Sequence, residues 1–371
     1  MTQVRLRLGA CLSLTGRHAR FGRQAALGLQ AWQAWSGRTD LMVEDDGGDT
    51  VRVAAAIRRL HAGCDLVLGP YSTGLARAAA AEASALDTVI WNHGGAGDHV
   101  QDGHPGHVVS VLTPARRYAE PWVHRLARRA ERAPLWIVHG GGRWSRQVAR
   151  GAAALAEALG IQVAGRDGAL PPSRAVPEAW DLLACGSFEE DVAAVTGARR
   201  LARPPRELCA VAAGVREFRS QVDRPDGVQG IAQWFPGAVP EAVHPPIGPT
   251  EPEFLRAWSR WTSSPPDYPA AQAAAAAALA VHCATVAGAT GRTSLWSAAT
   301  SLETRTVFGG FRIHPVTGAQ MRHETVLVRW TGTEMAPVAD SAAVRRGESR
   351  RPVGPGQQSD AASCLDNTTY K

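Results

Sequence analysis

The feature that most constrains this chain is a regular alternation near its start. Short apolar runs are each followed by a stretch with helical spacing. "VRLRLGACLSL" reads as a strand, and "RQAALGLQAWQAW" places Ala26, Leu29 and Trp32 on one helical face. "DLMVEDD" is the next strand. "TVRVAAAIRRLHAG" is a helix with Thr50 as its expected N-cap and Gly63 past its end. "CDLVLGP", a helix from about Leu75, and "DTVIWN" continue the pattern. Strands separated by helices cannot be joined as hairpins, so the alternation implies a parallel sheet covered by helices.

A second series follows in "APLWIVHGG", "RQVARGAAALAEALG", "IQVAGRDG", "WDLLACG", "EEDVAAVTGARRL" and "LCAVAAG". A chain of 371 residues exceeds what one core usually organises, so two α/β lobes are expected. "FLRAWSRWTS" and the alanine-rich "AAQAAAAAALAVHCATVAGA" read as helices. "FGGFRIHPVTGAQ" reads as a hairpin turning at "PVTG", and "ETVLVRW" as a following strand. Trp32, Trp35, Trp258 and Trp261 have core spacing, whereas Trp91, Trp144 and Trp234 lie near loops and are expected to face a cleft. From about Ser341 the chain is polar and rich in Gly, Pro, Ser and Arg, which is the composition of a disordered tail.

Composition excludes several classes. The net charge of +6 is almost all arginine, Lys371 being the only lysine, and acids are interspersed. No basic stripe with interleaved aromatics supports a nucleic-acid role. Cys11, Cys64, Cys185, Cys209, Cys283 and Cys364 form no C-x-x-C pair, so zinc-ribbon and dithiol chemistry have no support. Gln272 and His282 interrupt the alanine-rich stretch, so it is expected as a buried helix and not as a membrane span. "LGAC" at Leu8–Cys11 looks like a lipoprotein box, but only seven residues precede it and Arg5 and Arg7 break the apolar run. As written, the sequence leads to a cytoplasmic expectation, with an extracytoplasmic setting as the alternative if a leader has been removed.

The stretch "LVLGPYSTG" poses a chemical question. In an open parallel sheet, ligands bind where strand ends run into helix N-termini. Ser72 and Thr73 stand at such a point, able to cap the helix and to offer hydroxyls beside free N–H groups. A ligand carboxylate or another acceptor oxygen would suit them; a plain cap facing water is the alternative.

Several stretches together are similar to the type I solute-binding proteins of the branched-chain amino acid (Leu/Ile/Val) family. They are "LSLTGRHARFGRQAALGLQ", "VEDDGGDTVRVAAAIRRL", "LVLGPYSTGLARAAA", "DYPAAQAAAAAALA" and "TVFGGFRIHPVTGAQ", in family order. The resemblance implies two Rossmann-like lobes joined by three crossovers, closing on a ligand. It divides the chain into lobe 1 (1–115 and 238–306) and lobe 2 (116–237 and 307–338). It implies ligand contacts from Phe21, Ser72, Thr73, the loop His93, Gly94, Gly95 and Ala96, then Trp144, Phe188 and Tyr268. It implies a small-molecule ligand, no cofactor and no metal. The partner would be an ABC permease in a transport role, or a regulatory protein in a cytosolic sensor.

Two departures from the family pattern bear on the ligand. "NHGGAGD" lacks the threonine that helps hold an amino acid's carboxylate. Ala213 stands where an acid would face the ammonium, with Glu217 further along. A buried ammonium without a counter-charge is costly. An amide, an aromatic acid or another small polar metabolite is therefore as good an expectation as an aliphatic amino acid.

Three sharper readings compete with a binding role. "HGGAGDHVQDGHPGH" gathers His93, His99, His104 and His107 with Asp98 and Asp102, but at no metal-ligand spacing. "HGGGRW" lacks the Lys-Ser/Thr of a phosphate loop, and no G-x-S-x-G elbow exists for a hydrolase. An enzyme using His93 beside Ser72 as acid or base remains as the alternative to a binding protein.

Overall fold

The computed structural model describes residues 5–165, 168–172, 176–238 and 246–338, apart from the side chains of Gln101 and Asp102. The expected tail, Cys364 and part of the Pro-rich connector lie outside the described residues.

The first lobe is built from β1 (Leu6–Leu12), α1 (Ala19–Ser36), β2 (Thr39–Asp45), α2 (Thr50–Gly63), β3 (Leu66–Leu68), α3 (Thr73–Ala85), β4 (Ile90–Asn92), α4 (His99–Asp102) and β5 (Val108–Ser110). Its five strands are all parallel, in the order β2-β1-β3-β4-β5. β1 is central and covered on both faces. Leu8, Ala10 and Leu12 pack toward α1, while Cys11 and Gly9 meet α2, where a Cβ on Gly9 would touch Leu60. Such two-sided burial explains a strand read as a continuous apolar run. α2 is capped by Asp49, whose carboxylate accepts the N–H groups of Val51 and Arg52, so the cap is one residue earlier than expected.

The second lobe contains α5 (Glu120–Ala127), β6 (Leu135–His139), α6 (Arg143–Ala158), β7 (Val163–Gly165), β8 (Asp181–Cys185), α7 (Phe188–Arg199), β9 (Glu207–Ala210), α8 (Phe218–Gln221) and β10 (Gln229–Ala232). The chain then returns to the first lobe for α9 (Glu251–Trp258), α10 (Tyr268–Ala287) and α11 (Arg292–Thr300). A hairpin, β11 (Thr304–Thr306) and β12 (Gly309–Phe311), precedes β13 (Val326–Thr331) and β14 (Glu334–Pro337). The second sheet runs β14-β13-β10-β9-β8-β6-β7 and is mixed, because β13 and β14 add antiparallel to the parallel part. The β11–β12 hairpin turns at Val307–Phe308. "PVTG" makes a separate turn, closed by an antiparallel bridge between Ile313 and Gln320.

α10 decides the packing of the first lobe. Its alanines from Ala270 to Ala280 are almost fully buried, and it lies against α1, β3, β4 and α11. Among the described residues it is the one helix long and apolar enough to cross a membrane, and 72% of its most apolar window is buried inside the protein. Small side chains let α1 come close: a Cβ on Gly28 would stand 2.2 Å from the Ala270 carbonyl oxygen.

The tryptophans are partly misplaced by spacing. Trp32 and Trp258 are core, but Trp35 and Trp261 are 41% and 52% exposed. Trp91 and Trp234 are buried in the first core, not at the cleft, and Trp234 meets Phe254 edge-on. Loop proximity failed for Trp91 because it belongs to β4, which is covered on both faces.

Three crossovers meet at one hydrogen-bonded knot. The Gln233 amide pairs with the Thr113 backbone, accepting its N–H at 3.0 Å and donating to its carbonyl at 3.2 Å. The Thr113 hydroxyl lies 2.7 Å from His323 Nδ1, and His323 Nε2 lies 3.1 Å from the Phe308 carbonyl. Burial holds the His323 pKa down to about 3, so its ring is neutral. A carbonyl only accepts, so Nε2 carries the proton and the Thr113 hydroxyl donates to Nδ1.

Gly28→Ala is expected to destabilise the protein by about 2–3 kcal/mol, because backbone on both sides prevents relief of the clash. Urea unfolding of the variant against wild type measures this.

Candidate functional site

The carboxyl ends of the parallel strands of both sheets face each other across a cleft of about 860 Å³. Loops that leave strands there enter helices, so helix N-termini point inward. Residues at the starts of α1, α3, α6, α7 and α10 all line the wall: Phe21, Thr73, Trp144, Phe188 and Tyr268. Each terminus carries unpaired N–H groups and the positive end of a helix dipole. Arg17, Arg20, Arg77 and Arg143 add full positive charge around the opening.

The opening loop of α3 is strained. Ser72 has φ 85° and ψ 148°, a conformation serine rarely adopts. Two contacts hold it there. Its N–H donates to the Gly94 carbonyl at 3.1 Å, and Tyr71 bridges to Gly94 as neighbouring backbone. Gly94 must be glycine, since a Cβ would lie 2.4 Å from Tyr71 Cα. Thr73 Oγ1 accepts the Gly97 N–H at 3.0 Å, which ties the β4–α4 loop to α3. The hydroxyl can still donate its own proton into the cleft.

Aromatic rings form the inner wall. Tyr71 stacks on Phe21 with centroids 4.3 Å apart, and its hydroxyl lies 2.6 Å from that of Tyr268. Tyr118, beside Tyr268 and Gln233, meets Trp144 edge-on at 5.5 Å. Burial raises the pKa of all three tyrosines, so they are neutral hydrogen-bonding groups. His18 is held to about 4, by burial first and then by Arg17 and Arg20, and is also neutral.

Arg20 crosses between lobes. Its guanidinium lies 4.1 Å over the Phe188 ring, 2.9 Å from Glu189 and 3.5 Å from Glu217. The described conformation therefore has both lobes in contact across the cleft mouth. Asp191, one turn into α7, is fully buried. Its carboxylate accepts the N–H of Gly186 at 2.6 Å and that of Ala212 at 2.8 Å. Burial raises its pKa to about 7. It braces two loops of the second lobe and is a weak counter-ion for a cation.

Of the residues expected at the site, Phe21, Ser72, Thr73, Gly94, Ala96, Trp144, Phe188 and Tyr268 line this one cleft. His93 and Gly95 do not. His93 is wholly buried behind the wall, and burial lowers its pKa to about 4, so it cannot serve Ser72 as acid or base. Gly95 turns inward, its N–H on Asn92 Oδ1 and its α-carbon against Ala76. The histidine-rich loop disperses. His99 contacts Gln147 of α6 and His107 contacts the Thr88 carbonyl. No three His, Cys, Asp or Glu side chains come together as a metal site among the described residues.

Sequence reasoning missed Tyr71, Tyr118, Arg20, Asp191, Gln233 and Gln272. One signal was available for two of them. The chain has four tyrosines, and the three in the described residues all converge here. Asp191 had no signal, because the carboxylate comes from α7 and not from the stretch around Ala213.

Comparison with known proteins agrees with this architecture. Residues 5–178 match the family model described as periplasmic binding protein. The leucine binding protein LivK of Thermotoga maritima is 16% identical, with a TM-score of 0.75 over 90% of this chain and 98% of that one. An ABC transporter substrate-binding protein from Desulfitobacterium hafniense, in complex with Leu, is 15% identical, with a TM-score of 0.74 over 90% and 99%. A solute-binding protein from Rhodopseudomonas palustris BisB5, in complex with 3,4-dihydroxybenzoic acid, is 14% identical, with a TM-score of 0.73 over 90% and 95%. No curated protein sequence matches significantly. The chain thus has the type I periplasmic-binding-protein fold: two α/β lobes, three crossovers and an interlobe cleft. Its particular relatives by fold are the substrate-binding proteins of ABC transporters for amino acids and aromatic acids.

Two variants probe the strain at Ser72. Ser72→Gly is expected to be more stable than Ser72→Ala by about 1 kcal/mol, despite glycine's greater unfolded entropy, because only glycine adopts φ 85° freely. Thermal melts of the pair decide it. Asp191→Asn tests the buried carboxylate. Its folded pKa is raised, so the folded state binds the proton more tightly than the unfolded chain does. Wild-type stability relative to Asp191→Asn should therefore fall as pH rises from about 4 to about 7. Denaturation at a series of pH values reads this difference, and a constant gap would contradict it.

Proposed function

We propose that the protein is a non-catalytic receptor that closes its two lobes on a small organic anion. The observation that carries this reading is the cleft at the carboxyl edges of both sheets, lined from both lobes by helix N-termini and arginines. N–H groups and dipoles at such ends stabilise a carboxylate. Ser72, Thr73 and the start of α3 are the contacts we assign to it. Phe21, Tyr71, Trp144, Phe188 and Tyr268 would bury the rest of the molecule. An α-ammonium is poorly served: Ala213 offers nothing, Asp191 titrates near neutrality, and Glu189 is engaged by Arg20. A carboxylate without an ammonium, such as the aromatic acid bound by one structural relative, fits better than a zwitterion.

Segments 1–115 and 238–306 would move as one lobe, and 116–237 with 307–338 as the other. Transport is the role we assign, with an ABC permease as partner and an extracytoplasmic setting, as the periplasmic family description suggests. A ligand sensor acting on a regulatory protein is the second role of the same clamp. The relatives are binding proteins, and His93 is sealed from the cleft, so an acid–base enzyme has no support.

Purified protein should show a saturable tryptophan fluorescence change with a small carboxylate, and the ligand should be recovered unaltered. At a hundredfold excess over Kd, Tm should rise by about 3–4 °C. Ser72→Ala should weaken binding by about tenfold. No response across carboxylates, amides and amino acids, or consumption of the ligand, would sink the reading.

A further inference from the structure

α10 brings a second polar group to the cleft. Gln272 follows Tyr268 by four residues, so both side chains lie on the same helical face. Both line the cleft. Gln272 is only 1% exposed, and its Oε1 is buried without a hydrogen-bond partner. Nor does its Nε2 hydrogen-bond to any described residue. The tyrosine hydroxyls and the Gln233 amide do not share this condition. The Tyr71 and Tyr268 hydroxyls engage each other, and the Gln233 amide is used on both sides by Thr113. A buried amide oxygen left unpaired is rare, because an unpaired polar group costs stability. Its surroundings make the cost real: Ala271, Ala273 and Ala276 around it on α10 are buried and offer no side-chain polar atom.

We infer that Gln272 is a specificity-determining residue, and that the ligand carries an uncharged group able both to donate and to accept, a hydroxyl or a primary carboxamide, at the end buried against α10. An amide oxygen accepts from such a group while the amide nitrogen donates to it. A hydrocarbon end would leave the buried oxygen unpaired. A second carboxylate would be held by the nitrogen but repelled by the oxygen. With the carboxylate assigned to the α3 terminus, the ligand class is a small carboxylic acid with a distal hydroxyl or carboxamide. The inference rests on the receptor reading above for the first end of the molecule, and on Gln272 alone for the second.

The test uses matched pairs that differ only at the distal group: 4-hydroxybenzoate against benzoate, and the monoamide of adipic acid against hexanoate. Calorimetry on wild type and Gln272→Met gives a ratio of Kd values for each pair. In wild type the hydroxyl or carboxamide member of at least one pair should bind at least about tenfold tighter, as expected for satisfying a buried unpaired group. In Gln272→Met the ratio should fall toward one. Measurable binding with a ratio near one in wild type, or a ratio unchanged by the substitution, overturns the inference and leaves the receptor reading standing. Binding of neither member of either pair, with no response to amino acids or amides, overturns the receptor reading and the inference with it. A ligand-free measurement stands beside these. An amide that bonds nothing in the protein is not missed, so unliganded Gln272→Met should melt at or above the wild-type Tm. A fall of several degrees would show that the amide has a structural partner, and would overturn the assignment.

Discussion

The structure depends on the knot at Thr113. Two sheets of different topology are held with their carboxyl edges facing because three chain segments cross at one place. There one threonine uses its N–H, its carbonyl and its hydroxyl at once. The neutral His323 ring, stacked on Phe308 with centroids 4.0 Å apart, fixes the third crossover to the first. Lacing continues along the segments: Gln320 donates to the Val111 carbonyl and Thr325 to the Tyr118 carbonyl. Rotation about this bundle would move whole lobes while the connections stay paired. That is the mechanical requirement for hinge closure.

What the lobes enclose is polarised by construction. In a parallel α/β lobe the chain direction sends every helix N-terminus on the carboxyl side toward the same edge. Two such edges facing each other concentrate positive potential in a gap, and the arginines on its rim add to it. Carboxylates are present there, but they are already engaged. Glu189 pairs with Arg20, Glu190 closes the capping box with Ser187, and Asp191 spans two backbone N–H groups. An anion thus meets favourable field without having to displace a salt bridge. A cation would compete with groups that are already paired.

The alternation of strand and helix made the two lobes legible, because periodicity follows directly from burial on one face or two. The loop after β3 was legible for the same reason: a strand that runs into Ser72 and Thr73 has to end at a helix start. The inner wall was not. Tyr118 and Gln233 sit on crossovers, where no periodicity marks which way a side chain turns. Arg20 and Asp191 sit on helix faces that read as ordinary solvent or core positions. The error at His93 is instructive. Its neighbours Gly94 and Ala96 do reach the cleft, while His93 and Gly95 turn away from it. Position in a loop therefore could not tell wall from filling. Trp35 and Trp261 fail in a related way: their helical spacing matches the core face, yet both lie at helix ends, past the last covered turn.

In the proposed clamp, closure and recognition would share the same residues, which would give it its energy. A ligand shifts an open–closed equilibrium only through contacts that differ between the two states. On the proposed reading, ligand contacts with Ser72, Thr73 and Gln272 come from the first lobe and would be available in either state. Those with Trp144, Ser145 and the loop before α7, which line the cleft from the second lobe, would be completed when the lobes meet. Arg20 lies at this boundary. It stacks on Phe188 and pairs with Glu189 across the mouth, so part of the closed-state energy is present without ligand. At 25% side-chain exposure, Arg20 and its exposed partner form a screened pair worth at most about 1 kcal/mol. An interaction of that size can bias the hinge but cannot lock it, so the ligand must supply most of the difference from its second-lobe contacts.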